Sequence, residues 1–384
     1  MNTRKMGKHD LQASTFGFGC MRLPLLKQSD GSVQYGQIDE GEAIRMIRHA
    51  IDNGVTYLDT AWPYHQGNSE LVVGRALRDG YRDKVLLATK LPVWRTQSYA
   101  DFAEHLEQQL VKLQTDHIDY YLLHALNAET WPKVRDLGIR DFLDQMKKSG
   151  KIRHAAFSFH DQLPLFKEIV DSYDWDMCQI QLNLLDEEYQ AGCAGMRYAA
   201  ARGLAVVIME PLRGGALAQK VPADIQAVWD RAQVKRSPAE WAFRYLADKP
   251  EVSVILSGVS TMTQLEDNLR IFADVQPSTL TADEKALIAS VQSLYKAKIK
   301  VGCTGCNYCM PCPSGVAIPD VFRLYNQAYL YDDHPACRTR YAGLISKENA
   351  ADRCVSCGLC EPQCPQGIAI IAKLQEAHAD LLRA

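Results

Sequence analysis

Along the first 275 residues, short apolar runs rich in β-branched side chains alternate with stretches of helical spacing. The runs are VTYLD at 55–59, VLLATK at 85–90, IDYYLLH at 118–124, AAFSFH at 155–160, MCQIQLN at 177–183, AVVIMEP at 205–211 and VSVILSG at 252–258. Each ends in polar or chemically versatile residues, and helical patterns such as Asp101 to Leu113 and Thr261 to Phe272 follow them. The run from Phe16 to Cys20 brings the strand count to that of an eightfold β/α barrel, so the pattern predicts an α/β chain folded as a (β/α)8 TIM barrel. A doubly wound open sheet is the alternative, but no run leads into a G-x-G-x-x-G turn.

The pattern breaks after Gln276 at Pro277, Ser278 and Thr279. The stretch LTADEKALIASVQSLYKAK that follows predicts a helix, with Thr281 or Asp283 as its cap. The expected layout is a barrel over 1–275, a linker helix over 276–300 and a small, mainly helical domain over 301–384.

That last segment holds eight of the twelve cysteines, in two rows. Cys303, Cys306, Cys309 and Cys312 precede Pro313; Cys354, Cys357, Cys360 and Cys364 precede Pro365. Each row sets three thiols two residues apart and a fourth just before a proline, which suits three corners of one cubic iron–sulfur cluster and one corner of another. Two 4Fe-4S clusters are therefore expected. Structural zinc fits less well, because it takes two separated cysteine pairs. Disulfides suit small secreted scaffolds, whereas this chain has 384 residues and no apolar, cleavable segment at its start. The rows also repeat beyond their cysteines, CTGCNYCMPCPSGVAI against CVSCGLCEPQCPQGIAI. The duplication resembles a two-cluster bacterial ferredoxin, in which the fourth cysteine of each row crosses to the other cluster. That resemblance implies one cluster on Cys303, Cys306, Cys309 and Cys364, and another on Cys354, Cys357, Cys360 and Cys312. Two features depart from the pattern: only two residues precede the last cysteine of the first row, and a long, partly helical insertion follows Pro313. Cys337, within the insertion, reads as a buried or incidental thiol, and Cys20, Cys178 and Cys193 read as small core residues.

The formal charge of −3 and the absence of a long basic run argue against nucleic acid as a partner. Lys296, Lys298 and Lys300 read as a solvated helix end. No stretch approaches a membrane span, so the chain reads as soluble and cytoplasmic.

Barrel chemistry sits at the C-terminal strand ends. There the sequence places Asp59 on the second strand, Tyr64 in its loop, Lys90 on the third and His124 on the fourth. Taken singly, each suits a barrel rim, and Asp59 with Lys90 suits a structural ion pair. Taken together, GVTYLDTAWPYHQGNSELVVGRAL from Gly54 to Leu77, with ATK and LLH after it, resembles the aldo-keto reductase signature D-T-A-x-x-Y…G-x-S-E. GCMRLP, MEPLRGG and CTGCNYCMPCP resemble the branch of that family carrying a C-terminal ferredoxin-like extension. The resemblance implies a catalytic tetrad of Asp59, Tyr64, Lys90 and His124. Tyr64 would protonate the carbonyl oxygen, Lys90 held by Asp59 would favour its phenolate, and His124 would orient the carbonyl.

The same resemblance implies NADPH or NADH. Ser158 and Gln179 would hold the nicotinamide carboxamide, and Met209 stands where many relatives stack a tyrosine on the ring. Glu210, Pro211, Leu212, Arg213, Gly214 and Gly215 would border the pyrophosphate. Gly258, Ser260, Gln264, Asp267 and Asn268 would take the adenosine end, on a helix start suited to phosphate. Trp62, Trp94 and Trp131 suggest an aromatic-lined pocket for a small carbonyl or alcohol.

The expected function is thus hydride transfer in the barrel, with the clusters serving electron transfer or redox sensing. A redox protein is a candidate partner, because hydride moves two electrons together and each cluster passes one. An electron-transfer protein whose barrel binds nucleotide without hydride chemistry is the alternative. A metal-dependent hydrolase would draw on His124, His160 and Asp59, which form a weak ligand set.

Overall fold

The computed structural model describes residues 1–28, 31–364 and 366–383. Pro365, the proline closing the second cysteine row, lies outside the described residues. By contacts the chain forms two compact units: Met1–Pro211 with Ala242–Leu280, and Leu212–Trp241 with Thr281–Ala384. The excursion from Leu212 to Trp241 thus groups with the C-terminal residues rather than with the segments that flank it in sequence.

The first unit is a closed parallel barrel. Its strands are β1 (Phe16–Gly19), β2 (Tyr57–Asp59), β3 (Leu86–Leu91), β4 (Ile118–Leu126), β5 (Ile152–Phe159), β6 (Met177–Gln181), β7 (Ala205–Met209) and β8 (Val252–Ser257). Neighbours in sequence are neighbours in space, and β8 closes on β1 with Ile255 opposite Phe16. This is the expected (β/α)8 fold, and every strand read from the apolar runs is present. The helices of this unit are α1 (Glu40–Asp52), α2 (Ser69–Ala76), α3 (Tyr99–Leu113), α4 (Thr130–Asp136), α5 (Ile139–Ser149), α6 (Leu163–Asp171) and α7 (Gly192–Ala200). Helix α8 (Ala216–Gln219) and α9 (Ala223–Trp229) belong to the excursion, α10 (Pro238–Ala247) leads back into β8, and α11 (Met262–Phe272) follows it.

Alternate strand residues fill the barrel, among them Tyr57, Tyr120, Leu122, Met177, Val207 and Val254, all fully or nearly fully buried. A hairpin of Thr3–Lys5 and Gln12–Ser14 adds Met6 and Ala13 to that core. It is pinned by Arg4, whose guanidinium donates to the carbonyls of Ala247, Lys249 and Val252. A second hairpin, Leu25–Lys27 with Val33–Ile38, precedes α1. Neither hairpin follows from the sequence pattern, because three of the four strands are only three residues long and the fourth, Val33–Ile38, is largely exposed and carries no apolar run.

The second unit is mainly helical, as expected: α12 (Ala282–Lys298), α13 (Ile318–Leu330), α14 (His334–Ser346) and α15 (Ile370–Leu381). Thr281 is the α12 cap, in a reciprocal capping box with Glu284. Lys298, at the end of α12, is paired with Asp224 and Asp332. Val321, Phe322, Tyr341, Ile370, Leu374 and Ala377 form its core, with Cys337 buried among them. The two cysteine rows are joined across the unit: the Ala317 amide donates to Asn349 O at 2.9 Å, and Asn349 Nδ2 donates to Gly315 O at 2.8 Å. Among the described residues, no helix is long and apolar enough to cross a membrane.

Candidate active site

The four residues singled out at the strand ends converge. Asp59 closes β2 and Lys90 lies on the adjacent β3; both side chains are buried. Lys90 Nζ donates to Asp59 Oδ1 at 2.7 Å, to Thr60 O at 2.8 Å and to Tyr64 OH at 3.3 Å, so all three ammonium protons are used. The pair raises the Lys90 pKa above its ordinary value despite burial, with Asp59 the main favourable charge. Burial also raises the Asp59 carboxyl, and Asp59 Oδ2 has no partner. Tyr64 differs from expectation in one respect. Lys90 does lower its pKa, but burial outweighs the ammonium and the phenol stands above its ordinary value.

Tyr64 is aimed by an irregular turn. His65 and Gln66 adopt positive φ of 51° and 57°, a strained backbone for residues with side chains. The fold holds it by His65, whose Nε2 accepts from the Leu23 amide while Nδ1 faces Tyr35 O at 2.8 Å. These partners put the ring proton on Nδ1. Tyr35 stacks on the same imidazole at 4.7 Å.

His124 is aimed by a register shift in the β4–β5 pairing between Leu123 and Leu126. Ala125 there has a positive φ, and its amide donates to Ser158 Oγ at 2.7 Å. The His124 ring lies 6.1 Å from that of Tyr64, edge to face. Burial, and then the Lys90 charge, depress its pKa well below 6.5, so the imidazole is neutral; its Nδ1 is buried without a partner. Of the three tryptophans, Trp94 lies 5.1 Å from His124 and is 43 % exposed. Trp131 is fully buried with Nε1 bonded to Glu168, and Trp62 packs against His105 beneath the Lys112 ammonium. Trp131 is therefore structural, which an indole's sequence position does not reveal.

A buried polar network backs the Lys90 strand. Gln109 Nε2 donates to Glu70 Oε1 at 2.6 Å, Thr89 Oγ1 at 3.1 Å and Lys90 O at 3.1 Å, and Gln109 Oε1 accepts from Tyr121 OH. Glu70 is fully buried and also pairs with Lys112. Helix α2 can approach α3 this closely because residue 74 is glycine: a Cβ there would lie 2.4 Å from Lys112 O. In the sequence Glu70 is legible only as the last residue of the G-x-S-E motif, and Gln109 belongs to no motif.

The residues expected to hold nucleotide fall in several places. Ser158 and Gln179 are adjacent on β5 and β6, Gln179 Nε2 lies 3.7 Å from Met209 Sδ, and Gln179 Oε1 is buried without a partner. Near β8, Asn268 Nδ2 donates to Ser257 Oγ at 2.9 Å. Ser260 Oγ donates to Arg22 O, and Gln264 folds back to accept from the Ser260 amide. Asp267 lies on the exposed face of α11, paired with Arg270. Pro211 is buried in the first unit; Leu212, Arg213 and Gly214 belong to the second, where Arg213 Nη1 donates to Tyr331 OH at 3.1 Å. Arg22 is a basic residue beside Gly258 and Ser260, which the sequence expectation gives to the adenosine end: a Cβ on Gly258 would meet its side chain at 3.1 Å. The signal for it was its place just beyond the first strand.

The eight cysteines line two recesses. A cavity of about 330 Å³ is bordered by Cys354, Cys357 and Cys360 together with Cys312 and Cys309. A tighter one, about 20 Å³, is bordered by Cys303, Cys306 and Cys309 together with Cys364. Burial raises the Cys303 thiol, and nearby Cys306 and Cys364 push the same way; burial likewise raises Cys360, with Cys354 and Cys312 adding to it. Among the described residues, no three of these sulfurs converge within 4.8 Å; the single such group of His, Cys, Asp or Glu atoms is His9, His154 and Asp176. One zinc ion at about 2.3 Å from each sulfur would need closer convergence. The donor set therefore fits a larger multi-iron group.

The model of the Aldo/keto reductase family matches residues 16–292. The chain belongs to that family. It is an NAD(P)H-dependent oxidoreductase, and a 4Fe-4S dicluster domain matches residues 302–369 of the same chain. The reductase is 28 % identical over 329 residues to the uncharacterized oxidoreductase YqkF of Bacillus subtilis (strain 168), spanning 77 % of this chain and 99 % of that protein. It is 32 % identical over 193 residues to the aldo-keto reductase YhdN of the same organism, spanning 47 % of this chain and 53 % of that one. In three dimensions it resembles the holo form of aldo-keto reductase AKR11C1 from Bacillus halodurans, with a TM-score of 0.63 at 26 % identity over 76 % of this chain and 96 % of the other. The His9, His154 and Asp176 group of the reductase lies instead at the strand starts, with Lys8 Nζ 3.8 Å from Asp176, and serves as an ion-pair cluster pinning the first hairpin.

Proposed function

We propose that the barrel reduces a small-molecule carbonyl by hydride transfer, with Tyr64 as the proton donor, and that the C-terminal unit carries two 4Fe-4S clusters. The observation that carries the first part is the Lys90 ammonium, buried and shared among Asp59, Thr60 O and Tyr64 OH. A negative charge developing on Tyr64 oxygen as its proton leaves faces a cation 3.3 Å away. The burial that keeps the phenol protonated in the resting protein thus leaves a full proton to give, and Lys90 steadies the phenolate that results. His124, neutral, donates its N–H to the carbonyl oxygen, and Trp94 flanks the approach.

The unpaired, buried Gln179 Oε1 suits the amino group of a nicotinamide carboxamide, with Ser158 beside it and Met209 under the ring. When bound, the reduced nucleotide supplies the hydride. Asn268, Ser260 and Gln264 would hold its adenosine end, together with Gly258 and Arg22. Asp267 would contribute only surface charge.

For the clusters, the lining of the two recesses supports the crossed arrangement. Cys303, Cys306, Cys309 and Cys364 would hold one, and Cys354, Cys357, Cys360 and Cys312 the other. When bound, each passes electrons singly. Tyr64→Phe tests the proton donor. It is expected to lower kcat by about 10²–10⁴-fold while nucleotide still binds, and undiminished carbonyl reduction would overturn the assignment.

A further inference from the structure

The strand-start end of the barrel holds a second convergence of chemically able side chains, away from Asp59 and Lys90 at the strand ends. One ring nitrogen each from His9 and His154 and one Asp176 oxygen lie within 4.8 Å of one another. They come from three stretches of the first unit: His9 from the loop of the first hairpin, His154 from β5, and Asp176 from the position just before β6. Each is held from outside the group. The hairpin loop is seated on the start of β7, where the Lys8 amide donates to Gly203 O. Gly7, at a φ of 61°, permits that seat, since a Cβ there would stand 2.4 Å from the Ala205 nitrogen. The His154 ring stacks on Tyr120 at 4.8 Å. Asp176 is buried, and its Oδ2 accepts from the Ala155 amide at 2.8 Å, which leaves Oδ1 facing His9 Nε2 at 2.6 Å. Burial, outweighing the Asp176 charge, lowers the His154 pKa, so at pH 7 its ring is neutral and offers a lone pair.

We infer that this group is a binding site for a late first-row divalent cation of the zinc class, which staples the first hairpin to the barrel. Two imidazoles and one carboxylate suit zinc or nickel, whereas magnesium and calcium take sites built of oxygen. Bonds of about 2.0–2.2 Å set tetrahedral donors about 3.3 Å apart. The ion therefore takes the place of the proton between His9 and Asp176, opening that contact slightly, and the partly exposed His9 ring turns to close on it. Water completes the tetrahedron on the exposed side. Lys8 Nζ, 3.8 Å from Asp176 Oδ1, is the competing cation, but it already pairs with the exposed Asp174 and has that partner to retain. Arg153, the other cation near His154, is engaged by Asp119 at 2.8 Å. Without metal, the group remains the ion-pair cluster that pins the hairpin. The inference is independent of the chemistry proposed around Tyr64.

The test is calorimetric titration of Zn²⁺ into the anaerobic, cluster-loaded protein and its variants. His154→Phe keeps the stack on Tyr120 and removes a ligand; His9→Gln keeps a donor for Asp176 and removes the other ring nitrogen. Each should weaken Kd by at least the about 10–100-fold that loss of a supporting contact costs a metal site. Lys8→Met, which lifts the competing ammonium, should tighten it by about twofold to fivefold. Zn²⁺ should also raise the urea midpoint of the native protein and leave that of His9→Gln in place, a readout that stands even where His154→Phe folds poorly. Absence of Zn²⁺ uptake by the native protein overturns the inference. Equal affinity in native protein and His9→Gln overturns it too, because the zinc would then be held elsewhere, as by the cysteine rows.

Discussion

Replacing Lys90 by methionine separates the structural and chemical duties of the ammonium. In the native site Lys90 Nζ is the donor to Asp59 Oδ1, and Asp59 Oδ2 has no other partner. Removing one member of a buried pair strands the other, at a cost of about 3–5 kcal/mol. Thr60 O and Tyr64 OH lose the same donor. The deficit should depend on pH, with a definite sign. Burial already raises the Asp59 carboxyl above 3.8, and Lys90 is the charge that holds it down. Without Lys90 the folded pKa rises further above the unfolded value. A carboxyl raised in the folded state is comfortable below the unfolded pKa and loses stability as pH climbs towards the folded one. Relative to the native protein, whose Asp59 is already raised, Lys90→Met should therefore lose about 1.4 kcal/mol per pH unit only in the interval between the native folded pKa of Asp59 and the higher one of the variant. Anaerobic urea unfolding, followed by tryptophan fluorescence at about pH 5 and about pH 8, reads the difference. Turnover should fall by about 10²–10⁴-fold. Equal midpoints for native and variant proteins at both pH values, or retained turnover, would refute the reasoning.

The neutral state of His124 predicts that kcat/KM shows no acid limb near pH 6.5, because its pKa is depressed well below that value; a pH–rate profile with a break there, absent in His124→Asn, would contradict it. The alkaline limb should fall beyond about pH 10, since Tyr64 and Lys90 are both raised. Cys364→Ser should disturb the cluster of the first cysteine row and Cys312→Ser that of the second, each removing about half the bound iron; iron and sulfide assays with spectra of the remaining cluster check the crossing, and loss within the variant's own row would reverse it.

The barrel was legible because each buried parallel strand is a compact apolar run, and because the chemically useful residues stand where those runs stop. Asp59, Lys90 and His124 stand at strand ends by that rule and Tyr64 in the loop that follows, but their reading as a set came from the resemblance to the aldo-keto reductase signature. The Lys90 contacts could not, since they depend on strand register and on the turn at His65 and Gln66. The direction of the Tyr64 pKa also escaped: sequence names the nearby cation but not how deeply the phenol is buried. Gln109 was invisible because a glutamine on a helix gives no sign of bonding to a neighbouring strand. Leu212–Trp241 illustrates a further limit. The sequence places it between two barrel strands, while its partners Asp224–Lys298, Arg236–Glu284 and Arg213–Tyr331 lie far along the chain.

Transfer of a labelled hydride tests the central proposal most directly. With nucleotide deuterated at the reactive carbon of its nicotinamide and an aldehyde as substrate, the alcohol product should carry deuterium on the former carbonyl carbon. Tyr64→Phe should abolish that product while leaving nucleotide bound. Alcohol formed without the label, with the electrons passing through the iron–sulfur unit instead, would contradict hydride chemistry in the barrel.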